Sequence, residues 1–487
     1  MVTGAVSAYF CSIQHFTFRL KAALSHHIIT LGDLRDSTLV REIVQSEMRE
    51  VSDGSAGLLD RLQKLAAVHP GHHSREAMVL NVPGRIEVLG KHTDYAGGLS
   101  LTCASSLSMA AVVTAHALPF LEVVDQARGT RVQFQYDHPQ PIEGQSWTRY
   151  VCAVLQRLIR HFGIPTSGVS IVLSSNLPSA SGMSSSSGLI ITIALALMGM
   201  AQFPSIPKQF SVMSRERFAG FAGALESGAD YEGLTGDRGV GTKGGSEDHT
   251  AILCSRPNAL HAYTYFPVNQ VGSAALPDSV SFVVGSSGVI ARKTGEAKES
   301  YNLASSRARQ VVEIWNESEH LQLQNMGEMV ADESFSRDKL RAVLDSLKDG
   351  NVLWHRFAQF DRECSVIIPG AMEALQKKLW SSFGSYIDES QKMADEWLGN
   401  QVPETNDLVR LARGLGAYGA SAFGAGFGGA VWALVETSAA ERFQAEWMNL
   451  YAGHYPTRMA LAQFFRDKPS AGAWMLGSKS FSFENNG

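Results

Sequence analysis

Leu177–Met200 reads LPSASGMSSSSGLIITIALALMGM, in which a run of small residues passes directly into an apolar segment of helical length. A helix that begins near Ser184–Ser187 would leave its first backbone N–H groups, and nearby hydroxyls, without intrahelical partners. Such N–H groups bind anions, and small side chains let a phosphate approach the backbone. The stretch therefore predicts a phosphate-binding loop. The competing interpretation is a flexible Ser-rich loop in front of a core helix.

The segments around this motif alternate between strand and helix patterns. Gly168–Leu173 is predicted as a strand immediately before it, and Trp147–His161 places its apolar residues on one face of an amphipathic helix. Ala77–Val82 and Arg85–Leu89 are strand-like, and Ala371–Trp397 has a helical pattern. The order strand, small-residue turn, helix predicts a mixed α/β protein.

The domain boundaries follow from changes in these patterns. Residues 1–75 are predicted to be a partly helical N-terminal extension, and residues 76–276 a first domain that contains the phosphate loop. Pro277 precedes Val280–Val284, a buried-strand candidate, and marks the start of a second domain over residues 277–487.

Composition excludes several classes of function. The chain has 487 residues, 45% hydrophobic and 18% charged, which is typical of a protein with a large buried core. The formal net charge of −5 argues against nucleic acid or an anionic membrane surface as the main partner. Five cysteines without CxxC spacing predict reduced thiols and a cytoplasmic protein. The apolar run Leu189–Ala201 is too short to cross a bilayer.

Pro83–Gly98, with the sequence PGRIEVLGKHTDYAGG, concentrates ionisable side chains between glycines. These residues are Arg85, Glu87, Lys91, His92 and Asp94. A short charged loop between strands predicts a grip on a polar small molecule. A solvated hairpin, with its charges facing water, is the competing interpretation.

Two further glycine-rich segments are candidates for a functional role. In Gly241–His249, Asp248 follows glycines and precedes an apolar run, so it could accept or orient a hydroxyl proton, or complement a helix dipole. Gly416–Gly429 contains GxGxxG spacing, but the strand-like AVWALV follows it where a dinucleotide-binding fold requires a helix. The segment therefore predicts a second loop at a phosphate site, or a tight backbone crossing.

These segments together resemble the GHMP small-molecule kinases. PGRIEVLGKHTDYAGG, LPSASGMSSSSG and GASAFGAGFGG are similar, in this order, to the three motifs of that family. The first is most similar to the galactokinase signature GRxNxIGEHxDYxGG. GGSEDH resembles the GIMDQ segment of the galactokinases. SSGVIARKTGEAKESYNLASSR resembles their SNVxHxLxxSxYNxRR segment. The resemblance covers about residues 78–480.

The resemblance implies a fold and a reaction. The fold would be an α/β (α+β), two-domain GHMP kinase fold, with an N-terminal ribosomal-protein-S5-like domain and a C-terminal ferredoxin-like domain. The partners would be ATP, Mg²⁺ and a small-molecule sugar, phosphorylated at its anomeric hydroxyl in a monomer or homodimer.

It also implies roles for individual residues. Arg85 and Asp248 would be catalytic. The sugar would be bound by Glu87, Lys91, His92, Asp94 and Tyr301. ATP would be bound by Pro178, Ser181, Gly182, Ser184, Ser185, Ser186, Gly426 and Gly428. Ser186 and Glu226 would hold the metal ion, although the segment between Glu226 and Asp248 is about ten residues longer than in the family.

Lys91 departs from the signature, which has glutamate at this position. An ammonium group donates hydrogen bonds and prefers an anion, whereas a carboxylate accepts from a hydroxyl. One hypothesis is therefore a uronic acid substrate, galacturonate or glucuronate. The others are that Lys91 faces solvent or pairs with Glu87, which replaces an asparagine, and that the substrate is galactose or another neutral hexose. A non-catalytic sugar sensor and a GHMP kinase for another alcohol are further alternatives.

Overall fold

The computed structural model describes residues 29–36, 41, 55–178, 182–290 and 296–484. Its strands are β1 (Ala77–Leu89), β2 (Leu99–His116), β3 (Phe120–Asp125), β4 (Thr130–Gln135), β5 (Gly168–Ser175), β6 (Val212–Met213), β7 (Ala259–Thr264), β8 (Asn269–Ala275), β9 (Val280–Ser286), β10 (Gly419–Phe423), β11 (Ala430–Glu436), β12 (Gln463–Asp467), β13 (Trp474–Leu476) and β14 (Ser482–Phe483).

Helices fill most of the connections between these strands. They are α1 (Leu31–Arg35), α2 (Ser55–Val68), α3 (Thr148–Phe162), α4 (Ser185–Met200), α5 (Lys208–Ser211), α6 (Arg215–Ser227), α7 (Glu247–Cys254), α8 (Glu296–Glu319), α9 (Met326–Ala331), α10 (Arg337–Asp345), α11 (Gly350–Arg362), α12 (Ile368–Gln376), α13 (Trp380–Met393), α14 (Pro403–Gly414) and α15 (Ala440–His454). Single π-helical turns follow α11 and α13.

Eight of the described strands form the first sheet, in the order β13-β1-β2-β5-β3-β4, with β7 on the far half of β2 and β8 beside β7. The 18-residue β2 spans both halves, because its first residues pair with β7 and its last residues pair with β5. Helix α4 packs on β1 and β2 and is buried on all sides from Ser187 to Met200. Its uniformly apolar sequence suits such an interior position.

The second sheet contains β10, β11, β9 and β12, in that spatial order, and all of its strand pairs are antiparallel. Numbered along the chain, the order is 2-3-1-4. Helices α8 to α14 lie between its first and second strands, and α15 lies between its third and fourth. This is the strand order and connection pattern of a ferredoxin-like unit, enlarged by additional helices.

One side chain connects the two sheets next to the charged residues of β1. The Trp432 indole, fully buried on β11, donates from Nε1 to the Glu87 carbonyl on β1 at 3.1 Å. Its ring meets the Phe282 ring of β9 edge-on, with centroids 5.5 Å apart. Ile86 and Val88 face this same core, so Arg85 and Glu87 point to the other side of β1.

Several sequence predictions are confirmed. The strand at Gly168–Leu173 is β5, the helix at Trp147–His161 is α3, and the strand at Val280–Val284 is β9. The last residues of the described chain also return to the first sheet, where β13 pairs with β1, while β14 pairs with β6.

Other predictions are wrong. The single helix expected at Ala371–Trp397 is two helices, because the chain turns at Lys378, whose φ is +56°. Residues 83–89 continue β1 and are buried, which confirms the strand predicted at Arg85–Leu89 but shows that the charged loop predicted over Pro83–Gly98 begins only after β1. No strand was expected at β7, β8, β10 or β12; β10 reads GASAF and β8 reads NQVGSAA, compositions with low strand propensity.

Among the described residues, no helix has both the length and the apolar character that crossing a membrane requires.

We expect truncation of Trp432 to destabilise the junction of the two sheets. Trp432→Ala should lower the free energy of unfolding by about 3–5 kcal/mol, because a large cavity forms in the core. Trp432→Phe should cost about 1–3 kcal/mol, mostly from the unsatisfied Glu87 carbonyl. Denaturant unfolding measures both values. Leu461→Ala, at an exposed side chain, is the control and should change stability by less than about 0.5 kcal/mol. Equal effects of all three substitutions would contradict this account.

Candidate active site

Two cavities meet at a wall formed by Arg85, Asp248 and Ala425, which line both of them. The larger cavity has a volume of ≈ 690 Å³ and extends along the start of α4 toward Trp147 and Tyr150. The smaller cavity is lined by acidic side chains, two histidines and Tyr301. A large cavity therefore adjoins a smaller polar one, with the Arg85–Asp248 ion pair between them.

Arg85 is the central residue of this wall. Its guanidinium, 3% exposed, contacts Asp248 Oδ1 through Nε at 2.8 Å and Nη2 at 2.6 Å. Nη1 donates to the Gly182 carbonyl in front of α4, and the group lies 5.8 Å from the centre of the Phe423 ring. Burial alone would lower the pKa of Arg85, but Asp248 and the nearby Glu87 and Glu247 carboxylates raise it. The side chain therefore carries a full positive charge.

Asp248 lies in the first turn of α7, where its charge complements the helix dipole, as one interpretation of the sequence predicted. Its carboxylate also lines both cavities. While Oδ1 accepts from Arg85, Oδ2 accepts from the Ser187 hydroxyl at 3.2 Å. The same hydroxyl lies 2.8 Å from Glu226 Oε2. Ser187 therefore connects the ion pair to the buried carboxylate of Glu226, which was predicted as a metal ligand.

The described residues just before α4, Gly182–Ser184, leave the start of this helix open to a ligand. Gly182 and Ser184 adopt the left-handed region, with φ of +77° and +59°, and α4 has no side-chain N-cap. Ser184, Ser185 and Ser186 line the larger cavity with Gly182. The buried Ser184 Oγ has no hydrogen-bond partner among the described residues. Unpaired donors at a helix start favour phosphate.

Three other residues predicted to bind ATP do not line the larger cavity, and a fourth lies outside the described residues. Pro178 is buried and does not line either cavity, and Ser181 lies outside the described residues. Gly426 and Gly428 face other backbone: a Cβ there would come within 2.2 Å of the Asn400 carbonyl or 2.8 Å of the Val289 carbonyl. The two glycines therefore allow a tight backbone crossing, which was one of the two interpretations of Gly416–Gly429. Gly424 and Ala425 reach the cavities instead.

The residues predicted to bind the sugar divide into two groups. His92, Asp94 and Tyr301 line the smaller cavity with Glu87. His92 contacts Tyr95 Oη through Nδ1 at 2.8 Å and the Ala425 carbonyl through Nε2 at 3.2 Å. Asp94 Oδ2 accepts the backbone N–H of Glu247 at 3.2 Å.

Lys91 belongs to neither cavity. Its side chain is 1% exposed, and Nζ donates to Ser421 Oγ on β10 at 2.7 Å. The hypothesis that Lys91 faces solvent is therefore wrong, and its placement as a sugar ligand is not supported either, because it does not line the smaller cavity. The signature pattern alone could not reveal this, since the direction of the side chain depends on the neighbouring β10.

A predicted metal ligand, Glu226, also lines the smaller cavity, and its Oε2 lies 3.1 Å from His249 Nε2. The other, Ser186, lines the larger cavity, and it is Ser187 whose hydroxyl contacts Glu226. One residue along the helix turns a side chain by 100°, so four consecutive serines could not be distinguished in the sequence.

Helix α11 supports the signature segment from behind, a role that sequence reasoning missed. Arg356 Nη2 donates to the His92 carbonyl, and Gln359 Nε2 donates to the Lys91 carbonyl at 3.1 Å. Glu363 Oε1, just past α11, accepts the backbone N–H of Gly90 at 2.8 Å. Arg356, Gln359 and Glu363 are spaced i, i+3 and i+7, so they lie on one face of the helix. The local sequence does not show which segment that face contacts.

Comparisons with known proteins agree with this architecture. A model of the galactokinase galactose-binding signature matches residues 69–115, one of the GHMP kinases N terminal domain matches 149–230, and one of the GHMP kinases C terminal matches 371–453. A galactokinase of Roseiflexus sp. (strain RS-1) is 24% identical over 395 residues, covering 81% of this chain and 91% of that protein. A Fusobacterium nucleatum galactokinase is 24% identical over 366 residues, 74% of this chain and 86% of that protein.

A solved structure supports the fold. The crystal structure of Lactococcus lactis galactokinase complexed with galactose superposes with a TM-score of 0.64 at 20% identity, covering 82% of this chain and 95% of that one.

The two domains in sequence order, each matched by its own model, define the class: the chain belongs to the GHMP kinase superfamily. The signature at residues 69–115 and the galactokinase relatives then identify it, within that class, as a galactokinase-like, ATP-dependent sugar kinase.

We expect Arg356 to position His92 for sugar binding. Arg356→Met should raise the KM for the sugar by about tenfold or more, because a loosened binding group is sensitive to displacements of about 1 Å. Arg356→Lys should restore part of the effect, since one donor remains. Steady-state kinetics measure this, with the unfolding midpoint recorded for each variant. Arg362→Met, on the same helix but paired with the exposed Glu389, is the matched control. A change in stability with an unchanged KM would assign Arg356 a structural role only.

Proposed function

We propose that this sugar kinase transfers the γ-phosphoryl group of ATP to the anomeric hydroxyl of a hexose, with galactose as a substrate. The observation that carries the proposal is the Arg85–Asp248 pair, which lies between an anion-binding helix start and a small polar cavity. Its support from outside the structure is the galactose-binding signature at residues 69–115 and the galactokinase relatives.

Each part of the site has a function in phosphoryl transfer, which mainly requires positioning and charge stabilisation. The backbone N–H groups at the start of α4 bind the phosphates of ATP in the larger cavity. Asp248 orients the sugar hydroxyl and accepts its proton, because its carboxylate faces both cavities. Arg85 fixes Asp248 and places a positive charge where negative charge develops on the transferred group.

The residues present also fit a magnesium ion. Mg²⁺ prefers hard oxygen ligands and is often held by one or two protein groups together with substrate phosphates. The Glu226 carboxylate and the hydroxyl of Ser186 or Ser187 are such ligands, and the buried, unpartnered Ser184 hydroxyl lies in the same loop. When bound there, Mg²⁺ would supply positive charge that neutralises the phosphates of ATP.

A uronic acid is disfavoured as substrate. Lys91, the residue that suggested it, is bound to Ser421 outside both cavities. The smaller cavity is lined by Arg85 and by the carboxyl groups of Glu87, Asp94, Glu226, Glu247 and Asp248. A substrate carboxylate would therefore face like charge, and like charges at close range are unfavourable. We propose a neutral hexose over a uronate on this ground.

A non-catalytic sugar sensor is disfavoured as well. Such a protein would need the smaller cavity, but it would not need the Arg85–Asp248 pair between that cavity and a phosphate site. We also propose a cytoplasmic protein, in line with the free thiols of Cys103, Cys152, Cys254 and Cys364, and a monomer or homodimer.

Replacement of the proposed base should remove catalysis while leaving the ligands bound. In Asp248→Asn, the kcat for galactose phosphorylation should fall by about two to four orders of magnitude, because the amide cannot accept the proton. Coupled detection of ADP gives kcat, and calorimetry gives the affinities for ATP and galactose. Asp338→Asn, at an exposed position on α10, should behave as the unaltered protein. Full turnover by Asp248→Asn would rule out the proposed role of this carboxylate.

The choice between a neutral hexose and a uronate can be tested directly. We expect kcat/KM for galactose to exceed that for galacturonate by at least about tenfold, because a further anion would enter an acidic cavity. Lys91→Gln should leave galacturonate a poor substrate, since Lys91 does not reach the cavity. Galacturonate turnover equal to that of galactose, and lost in Lys91→Gln, would support the uronate hypothesis instead.

A further inference from the structure

A third cavity, with a volume of ≈ 290 Å³, lies along α6. One of its walls is a stripe of small residues on this helix, spaced i, i+3, i+4 and i+7: Gly220, Gly223, Ala224 and Ser227. The other walls come from residues 229–232, from residues 244–246 and from the turn at residues 266–268 between β7 and β8. Four segments of the chain thus surround a space that no described side chain fills.

The segment between Glu226 and Asp248 builds much of this third cavity, and it is longer here than in the family that the motifs resemble. Within it the Tyr231 ring lies against α6, because a Cβ at Gly220 would come within 2.9 Å of that ring. The Tyr231 hydroxyl donates to the Arg217 carbonyl at 2.6 Å, which holds the segment on the helix. The longer segment therefore adds a walled cavity that the family motifs do not account for.

The size and lining of the third cavity suit a small ring compound. A cavity of about 150 Å³ can hold benzene, so ≈ 290 Å³ accommodates a molecule about twice that size. Its apolar walls include the rings of Tyr231 and Phe266, together with Pro267 and Val268. The Phe266 side chain is 62% exposed, so a ligand that covers it would remove apolar surface from water. Small-molecule sites combine such walls with a few polar groups.

The polar groups of the third cavity favour a cation over an anion. Its charged lining residues are Glu216, Arg217, Asp230 and Glu232. Arg217 contacts the Glu232 carboxylate through Nε at 3.1 Å and Nη2 at 2.6 Å, so these two charges balance each other. The carboxyl groups of Glu216 and Asp230 then leave the lining with an excess of negative charge. A protonated amine complements that charge, whereas an anion is repelled by it.

The third cavity shares a wall with the proposed sugar site, because Gly244 and Gly245 line both. A Cβ at Gly244 would come within 2.8 Å of the Tyr301 hydroxyl. A Cβ at Gly245 would come within 2.5 Å of Asp94 Oδ2. The following residue also lines the third cavity and leads into α7, the helix that carries the proposed base. A ligand in the third cavity would therefore contact the same backbone that two predicted sugar ligands contact from the other side.

We propose that the third cavity is a second ligand site of this kinase, for a small aromatic amine, and that its occupation strengthens sugar binding. Binding of the amine is independent of the proposed function, whereas its effect on the sugar site rests on that function. The effect follows from the shared wall. A ligand that binds best when residues 244–246 lie against Asp94 and Tyr301 favours the same conformation for the sugar.

The first experiment measures binding by calorimetry on the full-length protein at about pH 7, with three probes that share one ring system. They are tryptamine, which is a cation at this pH, neutral indole, and the anion indole-3-acetate. Tryptamine should bind with a dissociation constant of about 1 mM or lower, as a molecule of its size can. Indole-3-acetate should bind at least about tenfold more weakly. No saturable binding of tryptamine, or equal binding of the anion, would overturn the proposed site.

The second experiment locates the bound amine. Ala224→Leu extends a side chain into the third cavity and should weaken tryptamine binding by about tenfold or more, because ligand and side chain would clash. Ala445→Leu, at an exposed position of α15, is the matched control and should leave binding unchanged.

Glu216→Gln tests the charge without filling the cavity. It should reduce the preference for tryptamine over indole by about threefold, the effect of one partly exposed charge. Glu373→Gln, exposed and paired with Lys377, should not change this preference. Unaltered tryptamine binding in both cavity variants would place the amine elsewhere and overturn the assignment. Unfolding midpoints are recorded for every variant, and Glu216→Gln decides the assignment if Ala224→Leu fails to fold.

The third experiment measures the coupling of the two sites by calorimetry. Galactose should bind about threefold more tightly when tryptamine is saturating, and tryptamine should gain the same factor when galactose is saturating, because coupling is reciprocal. Affinities that do not change would overturn the coupling. No galactose binding and no ADP formation, with tryptamine still bound, would contradict the proposed function and remove the coupling with it, while the amine site stands.

Discussion

The buried guanidinium of Arg85 is the constraint on which the rest of the site depends. A charge that is almost fully removed from water is tolerable only when it is paired and its donors are used. Here Asp248 supplies the charge, the Gly182 carbonyl accepts another donor, and Phe423 covers the face. These three partners belong to α7, to the loop before α4 and to β10. One side chain of β1 therefore contacts the candidate phosphate loop, the proposed base and the second sheet.

The junction of the two sheets supports this arrangement. Strand β1 is buried on both faces, with Ile86 and Val88 in the core shared with the second sheet and Arg85 and Glu87 toward the cavities. The Trp432 indole binds the backbone of Glu87 from β11. Charged side chains on such a strand are costly unless they have partners, and Arg85 has one in Asp248. Of the carboxyl groups that line the smaller cavity, Glu87 comes from this strand, and Glu247 and Asp248 come from the first turn of α7.

The signature segment after β1 is held from a second direction. Arg356, Gln359 and Glu363 contact the backbone of residues 90–92 rather than their side chains. Backbone contacts of this kind fix the direction in which Lys91 and His92 point, whatever their chemistry. As a result His92 enters the cavity with its φ at +60°, while Lys91 turns to Ser421 on β10. Adjacent residues of one motif thus contribute to different parts of the molecule.

Individual residues show which parts of the site can be predicted from the local sequence. The predicted phosphate loop at Gly182–Ser186 and the predicted base Asp248 rest on local patterns, because glycines, serines and a helix start act through neighbouring residues. Gly426 and Gly428 were misplaced because a glycine serves a tight crossing as well as a phosphate, and only the positions of Asn400 and Val289 separate the two. Ser187 could not be distinguished from Ser186, because the choice depends on where Glu226 lies.

By itself, the sequence did not indicate β7, β8, β10 or β12. It did indicate the class of the protein, the candidate phosphate loop and the elements with a clear apolar pattern. These depend on helix starts, backbone flexibility and the alternation of apolar residues, which are local properties of the chain. Only the tertiary structure decided which charges share a cavity, that Lys91 is excluded from it, and that Glu87 and Glu247 face it together. Residues 87 and 247 are 160 positions apart, and the energy of two charges depends on the distance between them in space and on their burial, which no local pattern contains.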